Sequence, residues 1–267
     1  MELDDAYANG AYINGAEGFP QRWATAASAL RQELGARARL NLPYGASERQ
    51  KYDLFLPESP TRGTVVFVHG GYWRAFDRSS WSHLAAGPLA QGWAVAMPSY
   101  DLCPQVSIAE ITRQLATAVQ VVAAQVSGPI SLTGHSAGGH LVARMLDRNL
   151  VPDEIGRRFR AVIPISPLSD LQPLLQTSMN DDFAMDITQA QAESPLGMMD
   201  RHPARVTVWV GGDERPAFLD QARWLAQAWG ADHVIAPGKH HFDVIDPLSD
   251  PKSDLVHRLT GWPGPAV

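Results

Sequence analysis

A cluster of small residues around one serine constrains the fold of this chain more than any other stretch. The sequence G-H-S-A-G at residues 134–138 follows an apolar, strand-like run and precedes a helix-like run. Glycine at both ends permits a sharp strand-to-helix turn, because a Cβ there would collide with the strand or the helix. Such a turn exposes the Ser136 hydroxyl and places the Ala137 amide in the first helical turn, where N–H groups lack intrahelical partners. The stretch therefore predicts a serine nucleophile and half of an anion-binding site.

Apolar runs alternate with amphipathic runs along the rest of the chain. We expect strands near residues 51–56, 64–68, 93–97, 129–133, 161–165, 206–210 and 233–236. We expect helices near residues 20–34, 80–90 (capped by Ser79 or Ser80), 108–126, 139–146, 216–229 and 250–259. The buried strands are continuous apolar runs, which is typical of parallel strands covered on both faces.

This alternation favours one α/β domain over residues 1–267, and a chain with 45% apolar residues can bury a real core. We expect an N-terminal helical arm at residues 1–50, with a loose start over residues 1–19. Residues 168–203 carry proline, methionine and aspartate without one clear period. They are expected to form a small cap-like insertion of irregular short helices.

Charge and composition argue against several classes of partner. The net charge is −6 and no basic stripe appears, which disfavours nucleic acid. Cys103 is the single cysteine, so no intrachain disulfide can form, as is typical of a reducing compartment. The acidic start lacks an apolar signal segment, and no apolar run approaches the length that crosses a bilayer. These features predict a cytoplasmic protein with no membrane partner.

A serine hydroxyl needs a base to take its proton, and in chains with this turn the order is nucleophile, acid, histidine. His240 and His241 both lie in a loop after the last strand-like run, and spacing does not choose between them. Asp213 and Glu214 both follow the next-to-last strand-like run, and spacing leaves both open. Asp170 is a third candidate acid, for which a loop-capping role is favoured.

Two other histidines lie near the predicted site. His69 begins an H-G-G-Y loop directly after the first buried strand-like run. Glycines there let backbone N–H groups turn toward a developing oxyanion, so Gly71 and Tyr72 are expected to supply the second half of the anion site. His69 is expected to brace this loop. His140 lies one helical turn after the serine and is expected to be structural, because it cannot easily reach back.

Together these motifs resemble the α/β-hydrolase superfamily, in its esterase and lipase group with an H-G-G loop. A narrower resemblance is to the kynurenine formamidase (arylformamidase) group. H-G-G-Y-W at residues 69–73 is similar to the loop of that group, and G-H-S-A-G-G-H at residues 134–140 is similar to its serine turn. The resemblance extends over most of the chain from about residue 51.

Two further segments of the resemblance select between the open alternatives. H-F-D-V-I at residues 241–245 is similar to the H-F-D-I-I base segment of the group, which selects His241. E-R-P-A-F at residues 214–218 keeps the proline and phenylalanine spacing of its acid segment D-S-P-E-F, which selects Glu214. This is a departure from the group, because glutamate is one methylene longer than aspartate.

The resemblance implies an α/β-hydrolase fold, with a mostly parallel central sheet, helices on both faces and a small cap insertion. It implies a serine hydrolase, carboxylesterase or arylformamidase-like, that cleaves a small acyl ester or N-formyl amide. The expected catalytic residues are Ser136, His241 and Glu214, and the expected oxyanion-hole donors are Gly71, Tyr72 and Ala137. Trp73 and Trp81 are expected either to form an aromatic wall for the substrate or to pack the loop against the cap.

No cofactor or metal is expected, because the histidines lack a paired ligand spacing such as H-E-x-x-H. A homo-oligomer stays open. The alternative function is a non-catalytic ligand-binding module on the same fold. Such modules usually lose the serine or the histidine, whereas this chain keeps both together with the glycine loop. Ester and formamide substrates both remain open at this stage.

Overall fold

A central eight-stranded sheet organises the computed structural model, which describes residues 3–261. The strands are β1 (Ala38–Pro43), β2 (Lys51–Phe55), β3 (Thr64–Val68), β4 (Ala94–Pro98), β5 (Ile130–His135), β6 (Phe159–Ile165), β7 (Arg205–Gly211) and β8 (Asp232–Ala236). Their spatial order is β1-β2-β4-β3-β5-β6-β7-β8. β2 pairs antiparallel with β1 and β4, and all other pairs are parallel. The expected mostly parallel sheet is confirmed.

Helices cover both faces of this sheet. They are α1 (Phe19–Leu34), α2 (Ala86–Ala90), α3 (Ile108–Gln125), α4 (Ala137–Arg144), α5 (Asp153–Gly156), α6 (Asn180–Phe183), α7 (Ile187–Glu193), α8 (Pro216–Trp229) and α9 (Asp254–Thr260). Successive strand residues face opposite sides, so Val66 packs in the core with α3 and α4, while Val65 packs in the core with α1 and α9. Two apolar layers therefore sandwich the sheet.

The structure departs from the predicted strands and helices at β1 and at residues 80–90, among other places. β1 was not predicted, because its burial pattern is largely exposed and gives no apolar run. The helix predicted near residues 80–90 is instead two 3-10 turns followed by the short α2. Asp77, rather than Ser79 or Ser80, caps the first turn, through a hydrogen bond from the Ser79 amide. Pro88 explains the break, because proline removes a backbone donor and clashes with the preceding turn.

Residues 3–18, called the N-terminal segment below, are ordered rather than loose. They contain two 3-10 turns, Gly10–Tyr12 and Ala16–Gly18. The Leu3 amide donates to the carbonyl of Gln176, within the predicted insertion at residues 168–203. Residues 168–203 contain short helices, including α6 and α7. No helix among residues 3–261 combines the length and apolar character needed to cross a membrane.

Candidate active site

Ser136 occupies the sharp turn between β5 and α4. Its backbone has φ 57° and ψ −117°, a strained conformation for a residue other than glycine. The Ser136 amide donates to the Ile165 carbonyl over 2.8 Å, and the Ser136 carbonyl accepts from the His140 amide over 3.0 Å. A Cβ added to Gly138 would lie 2.0 Å from the Val68 carbonyl oxygen. The turn thus needs its glycine, and the surrounding backbone holds the serine in place.

His241 and Glu214 form a buried hydrogen-bonded pair. The His241 Nδ1 lies 2.6 Å from the Glu214 Oε2. A carboxylate oxygen only accepts, so Nδ1 carries the proton and Nε2 is left with a lone pair. The other oxygen of Glu214, Oε1, accepts from the Ser166 Oγ over 2.5 Å and from the Gly211 amide over 2.8 Å. His241 and Ser136 line the same cavity.

The competing residues from the sequence lie elsewhere. Asp213 is exposed at the surface. His240 is half-buried, with its Nδ1 3.2 Å from Asp243 and its ring against Phe19. Asp170 accepts a hydrogen bond from the amide two residues later, which is the loop-capping role favoured for it. Of the alternatives that spacing left open, the structure brings together Glu214 and His241.

The H-G-G-Y loop that follows β3 adopts an unusual backbone beside the serine. Gly71, Tyr72 and Trp73 have φ values of 106°, 51° and 54° in succession. A Cβ on Gly71 would lie 2.5 Å from the Ala75 carbonyl oxygen, so a larger residue would not fit there. Among residues 3–261, the amides of Gly71 and Tyr72 meet no acceptor. The Ala137 amide lies in the first turn of α4, where N–H groups have no intrahelical partner.

Two buried histidines brace the site without lining its cavity. The His69 Nδ1 donates to the Gly70 carbonyl over 2.8 Å, and the His69 ring stacks on Tyr100 with ring centroids 4.4 Å apart. The His140 Nε2 donates to the Glu193 carbonyl over 2.7 Å. Burial lowers the pKa of His69 to about 4 and that of His140 to about 3, so both rings stay neutral.

His135 is a site residue that the sequence analysis missed. Its ring lines the cavity, and its centroid lies 4.6 Å from that of His241. On another side, Phe218 lies 4.4 Å from the His241 ring. Burial, and then repulsion from His241 whenever that ring is protonated, hold the pKa of His135 well below its ordinary value. His135 occupies the variable position of the G-x-S-x-G pattern, so the pattern itself carried no signal for it.

The cavity has a volume of about 880 Å³ and one strongly aromatic wall. Its aromatic lining residues, apart from histidines, are Tyr7, Trp23, Tyr72, Phe76, Trp81 and Phe242. Trp81 lines it and lies 4.6 Å from Trp23, centroid to centroid. Trp73 does not line it. That side chain is fully buried and packs edge-on against His140, so the structure places Trp73 in loop packing rather than substrate contact.

The N-terminal segment supplies another wall of the cavity. Asp4, Tyr7, Ala8, Asn9 and Gly10 all line it. The Tyr72 hydroxyl donates to the Tyr7 carbonyl over 2.7 Å, and the Tyr7 hydroxyl accepts from Gln221 over 3.1 Å. These contacts tie the segment to the glycine loop and to α8. The predicted loose start is wrong in this respect, since the segment helps to shape the cavity.

Few charged side chains line the cavity. They are Asp4, Arg74 and Asp182, and Arg74 pairs with Asp182 over 2.7 Å. Within the described part of the chain, no group of three or more histidine, cysteine or acidic side chains could hold a metal ion. Cys103 also lines the cavity, and burial raises the pKa of its thiol to about 11.

A family model described as the alpha/beta hydrolase fold matches residues 65–231. The chain belongs to the α/β-hydrolase family. The match includes β3 except Thr64, the serine turn and Glu214, whereas His241 and the N-terminal segment lie outside it.

Two curated relatives of this chain are named kynurenine formamidase. The kynurenine formamidase of Danio rerio is 28% identical, over 90% of this chain and 92% of that protein. The kynurenine formamidase of Drosophila melanogaster is 31% identical, over 82% of this chain and 79% of that protein. This α/β-hydrolase is thus an enzyme of the esterase type that resembles kynurenine formamidase.

A solved structure is more similar still. It is a candidate thioesterase from Silicibacter sp. TM1040, with 65% sequence identity and a TM-score of 0.97, covering 97% of this chain and 99% of that one. The α/β-hydrolase described here therefore shares its whole architecture with that protein, including the regions outside the family match.

Proposed function

We propose that this α/β-hydrolase is a serine hydrolase that removes a small acyl group from an ester or an N-formyl amide through an acyl-enzyme. One observation carries the proposal. A single cavity is lined by the strained Ser136, by His241 and by the glycine loop, and Glu214 fixes the Nδ1 proton of His241. This is the set of groups that acyl transfer to a serine requires.

In the first half of the reaction, the Ser136 Oγ attacks the carbonyl carbon and passes its proton to the His241 Nε2. Glu214 orients the imidazole and stabilises its cationic form. The amides of Gly71, Tyr72 and Ala137 donate to the oxyanion. One such donor is typically worth about 10²- to 10³-fold in kcat.

The tetrahedral intermediate then collapses, and the bond to the leaving group breaks. The leaving nitrogen or oxygen takes the proton from His241, and an acyl-enzyme remains. Water then attacks the acyl carbon and gives a proton to His241. A second collapse returns that proton to the Ser136 Oγ and releases a carboxylic acid, which is formic acid when the substrate is a formamide.

The shape of the cavity supports an aromatic leaving group. Trp23, Phe76 and Trp81 lie together on one wall, and edge-to-face aromatic contacts contribute about 0.5–1.5 kcal/mol each beyond the burial of area. A formyl or acetyl group alone would leave most of the 880 Å³ unfilled. An aryl formamide or aryl ester is the substrate class that fits this wall, and the named relatives are kynurenine formamidases.

A thioester is the second candidate substrate, because the relative that is 65% identical is named as a candidate thioesterase. The cavity offers little to a polyanionic thioester. Arg74 is the cationic side chain among the lining residues, and it pairs with Asp182 over 2.7 Å. The phosphates of a thiol such as coenzyme A would have to compete with Asp182 for that guanidinium, which favours a small uncharged thiol.

The substrate class is tested by comparing kcat/KM for N-formylkynurenine, p-nitrophenyl acetate and acetyl-coenzyme A. We expect the first two to be turned over and the coenzyme A thioester to be the poorest. A ratio far below one for N-formylkynurenine over p-nitrophenyl acetate would exclude the formamidase specificity. Preferred hydrolysis of the coenzyme A thioester would contradict the electrostatic argument.

The mechanism is tested by Ser136→Ala, which should lower kcat by about 10³-fold or more with every substrate. Ser131→Ala is the matched control, because Ser131 lies on the same strand and its buried hydroxyl donates to Leu259, away from the site. A fluorophosphonate probe should label the wild type and the control but not Ser136→Ala. An unlabelled wild type would favour the non-catalytic binding module.

A further inference from the structure

We propose that Ser166 is a positioning residue that holds the Glu214 carboxylate in the orientation that reaches His241. The proposal rests on the serine-hydrolase function proposed above. Ser166 directly follows β6 and is fully buried. Its hydroxyl donates to the Glu214 Oε1 over 2.5 Å, while the Glu214 Oε2 accepts from His241 over 2.6 Å. The two oxygens of the carboxylate are thus held from opposite sides.

A glutamate in this position needs more restraint than an aspartate would. It has one further rotatable bond, so its carboxylate samples more orientations unless other groups fix it. The Gly211 amide is a second donor to Oε1, over 2.8 Å. A Cβ on Gly211 would lie 3.1 Å from the Glu214 Cγ and 2.3 Å from the Lys239 carbonyl oxygen. Because Gly211 has no side chain, Glu214 can fold back over the end of β7, where its Oε1 accepts from Ser166.

The backbone of Ser166 is held in a costly conformation. Its φ is 48°, in the left-handed region that favours glycine, and such a residue costs about 1–3 kcal/mol. Its amide donates to the Trp209 carbonyl over 2.7 Å, which fixes the turn against β7. A glycine would adopt this backbone without strain. The side chain at this position is therefore best explained by what its hydroxyl contacts, and that is Glu214.

The same turn also holds the nucleophile. The carbonyl of Ile165, the residue before Ser166, accepts from the Ser136 amide over 2.8 Å. Two consecutive residues at the end of β6 thus bind the serine turn on one side and the acid on the other. This one turn therefore contacts both Ser136 and Glu214, and Ser166 supplies its only side-chain hydrogen bond to the acid among the described residues.

A buried serine could instead merely satisfy its own hydroxyl, and Ser169 provides the matched control for that role. It lies three residues further along, is also fully buried, and donates to the Gln221 carbonyl over 2.6 Å. It has no hydrogen bond to Ser136, His241 or Glu214 within residues 3–261. Ser169→Ala removes the same chemical group from the same segment without touching the acid.

The first test is a double-mutant cycle on kcat with p-nitrophenyl acetate. Ser166→Ala should lower kcat by about 10- to 100-fold with KM changed less than about 2-fold, as expected for the loss of a hydrogen bond to a charged group. In a Glu214→Ala background the same change should alter kcat less than about 2-fold, because a residue that acts through Glu214 has nothing left to position. Equal effects in both backgrounds, or an unchanged kcat in Ser166→Ala alone, would overturn the proposal.

The second test needs no substrate. The proton that His241 and Glu214 share should give a far-downfield proton NMR signal in the wild type and in Ser169→Ala. It should be lost in Glu214→Ala and shifted or broadened in Ser166→Ala. Ser166→Gly removes the hydroxyl while tolerating the positive φ, so it should behave likewise even where the alanine variant folds poorly. An unchanged signal in Ser166→Gly would refute the positioning role of Ser166. Turnover by Ser136→Ala would refute only the proposed serine-hydrolase function.

Discussion

The Asp5 carboxylate accepts a hydrogen bond from the Arg215 guanidinium over 2.7 Å, which joins the N-terminal segment to the residue directly after Glu214. The Arg215 guanidinium also lies 3.6 Å from the ring centroid of Tyr12. Asp5 is largely exposed, and exposed ion pairs contribute only about 0–1 kcal/mol. Tyr7 is a second anchor of the segment, because its ring is buried against Phe218.

Tyr7→Ala should weaken the binding of large substrates more than it slows the chemistry. The change removes an aromatic wall of the cavity and the hydrogen bond from Gln221. We expect KM for N-formylkynurenine to rise about 10-fold, since one lost wall contact is worth about 1–2 kcal/mol. The kcat for the smaller p-nitrophenyl acetate should stay within about 3-fold of the wild-type value. Steady-state kinetics on both substrates measure the two effects.

Tyr12→Ala is the control for this change, because Tyr12 lies on the same segment but is 55% exposed and does not line the cavity. The KM of Tyr12→Ala for N-formylkynurenine should stay at the wild-type value. If both tyrosine variants raise KM equally, the segment would act through its overall order rather than through the wall that Tyr7 provides.

This wall shows why part of the site could not be predicted. Tyr7 and Gln221 are 214 residues apart in sequence, and no local pattern links them. Ser136 and the glycine loop were predictable, because sharp turns impose local residue requirements. The neighbouring pairs Asp213 and Glu214, and His240 and His241, were left open by spacing, because only the fold decides which of two adjacent side chains faces inward.

The same distinction applies to the fold. The parallel strands were predicted because strands buried on both faces need apolar residues throughout. β1 gave no such signal, since it is an edge strand whose exposed side chains need no apolar character. The sequence alone predicts that Trp73 either forms an aromatic wall for the substrate or packs the loop against the cap. Its burial behind the loop depends on α6, which supplies Phe183 as a packing partner from elsewhere in the chain.

Glu214→Ala and Asp213→Ala should separate the acid from its neighbour. Glu214 is buried against His241, so its loss should lower kcat by about 10³- to 10⁴-fold, as for the orienting acid of other serine hydrolases. Asp213 is exposed, and its loss should change kcat less than about 2-fold. Both variants are measured with p-nitrophenyl acetate above pH 7. A large loss in Asp213→Ala alone would reverse the assignment.

Gly138→Ala should destabilise the protein at the serine turn. The added Cβ would lie 2.0 Å from the Val68 carbonyl oxygen, and buried backbone cannot move aside cheaply. We expect a loss of at least about 2 kcal/mol in the free energy of unfolding, measured by urea denaturation.

Gly197→Ala is the matched control for the serine turn, because a Cβ there meets no atom within 4 Å. It should leave the free energy of unfolding unchanged or raise it by up to about 1 kcal/mol. If the two alanine variants unfold at the same urea concentration, close packing around Gly138 is not what maintains the turn.

The buried histidines should make the protein lose stability as the pH falls below about 6.5. Burial lowers the pKa of His140 from 6.5 to about 3, so between these values the unfolded chain binds a proton that the folded chain does not. The free energy of unfolding then decreases with falling pH, by up to about 1.4 kcal/mol per pH unit for such a histidine. His69, with a pKa of about 4, acts in the same direction.

His140→Gln isolates one of these contributions, because its side-chain amide can still donate to the Glu193 carbonyl that His140 binds. Unfolding in urea is measured at several pH values from about 7.5 to about 5, above the range in which ordinary carboxylates titrate. The slope of the free energy of unfolding against pH should be shallower in the variant by about 1 kcal/mol per pH unit near the acid end. Near pH 7.5, where both states hold a neutral imidazole, the two proteins should differ by a constant amount. Equal slopes over the whole range would mean that His140 takes up a proton in the folded protein, which its buried position between Trp73 and Glu193 argues against.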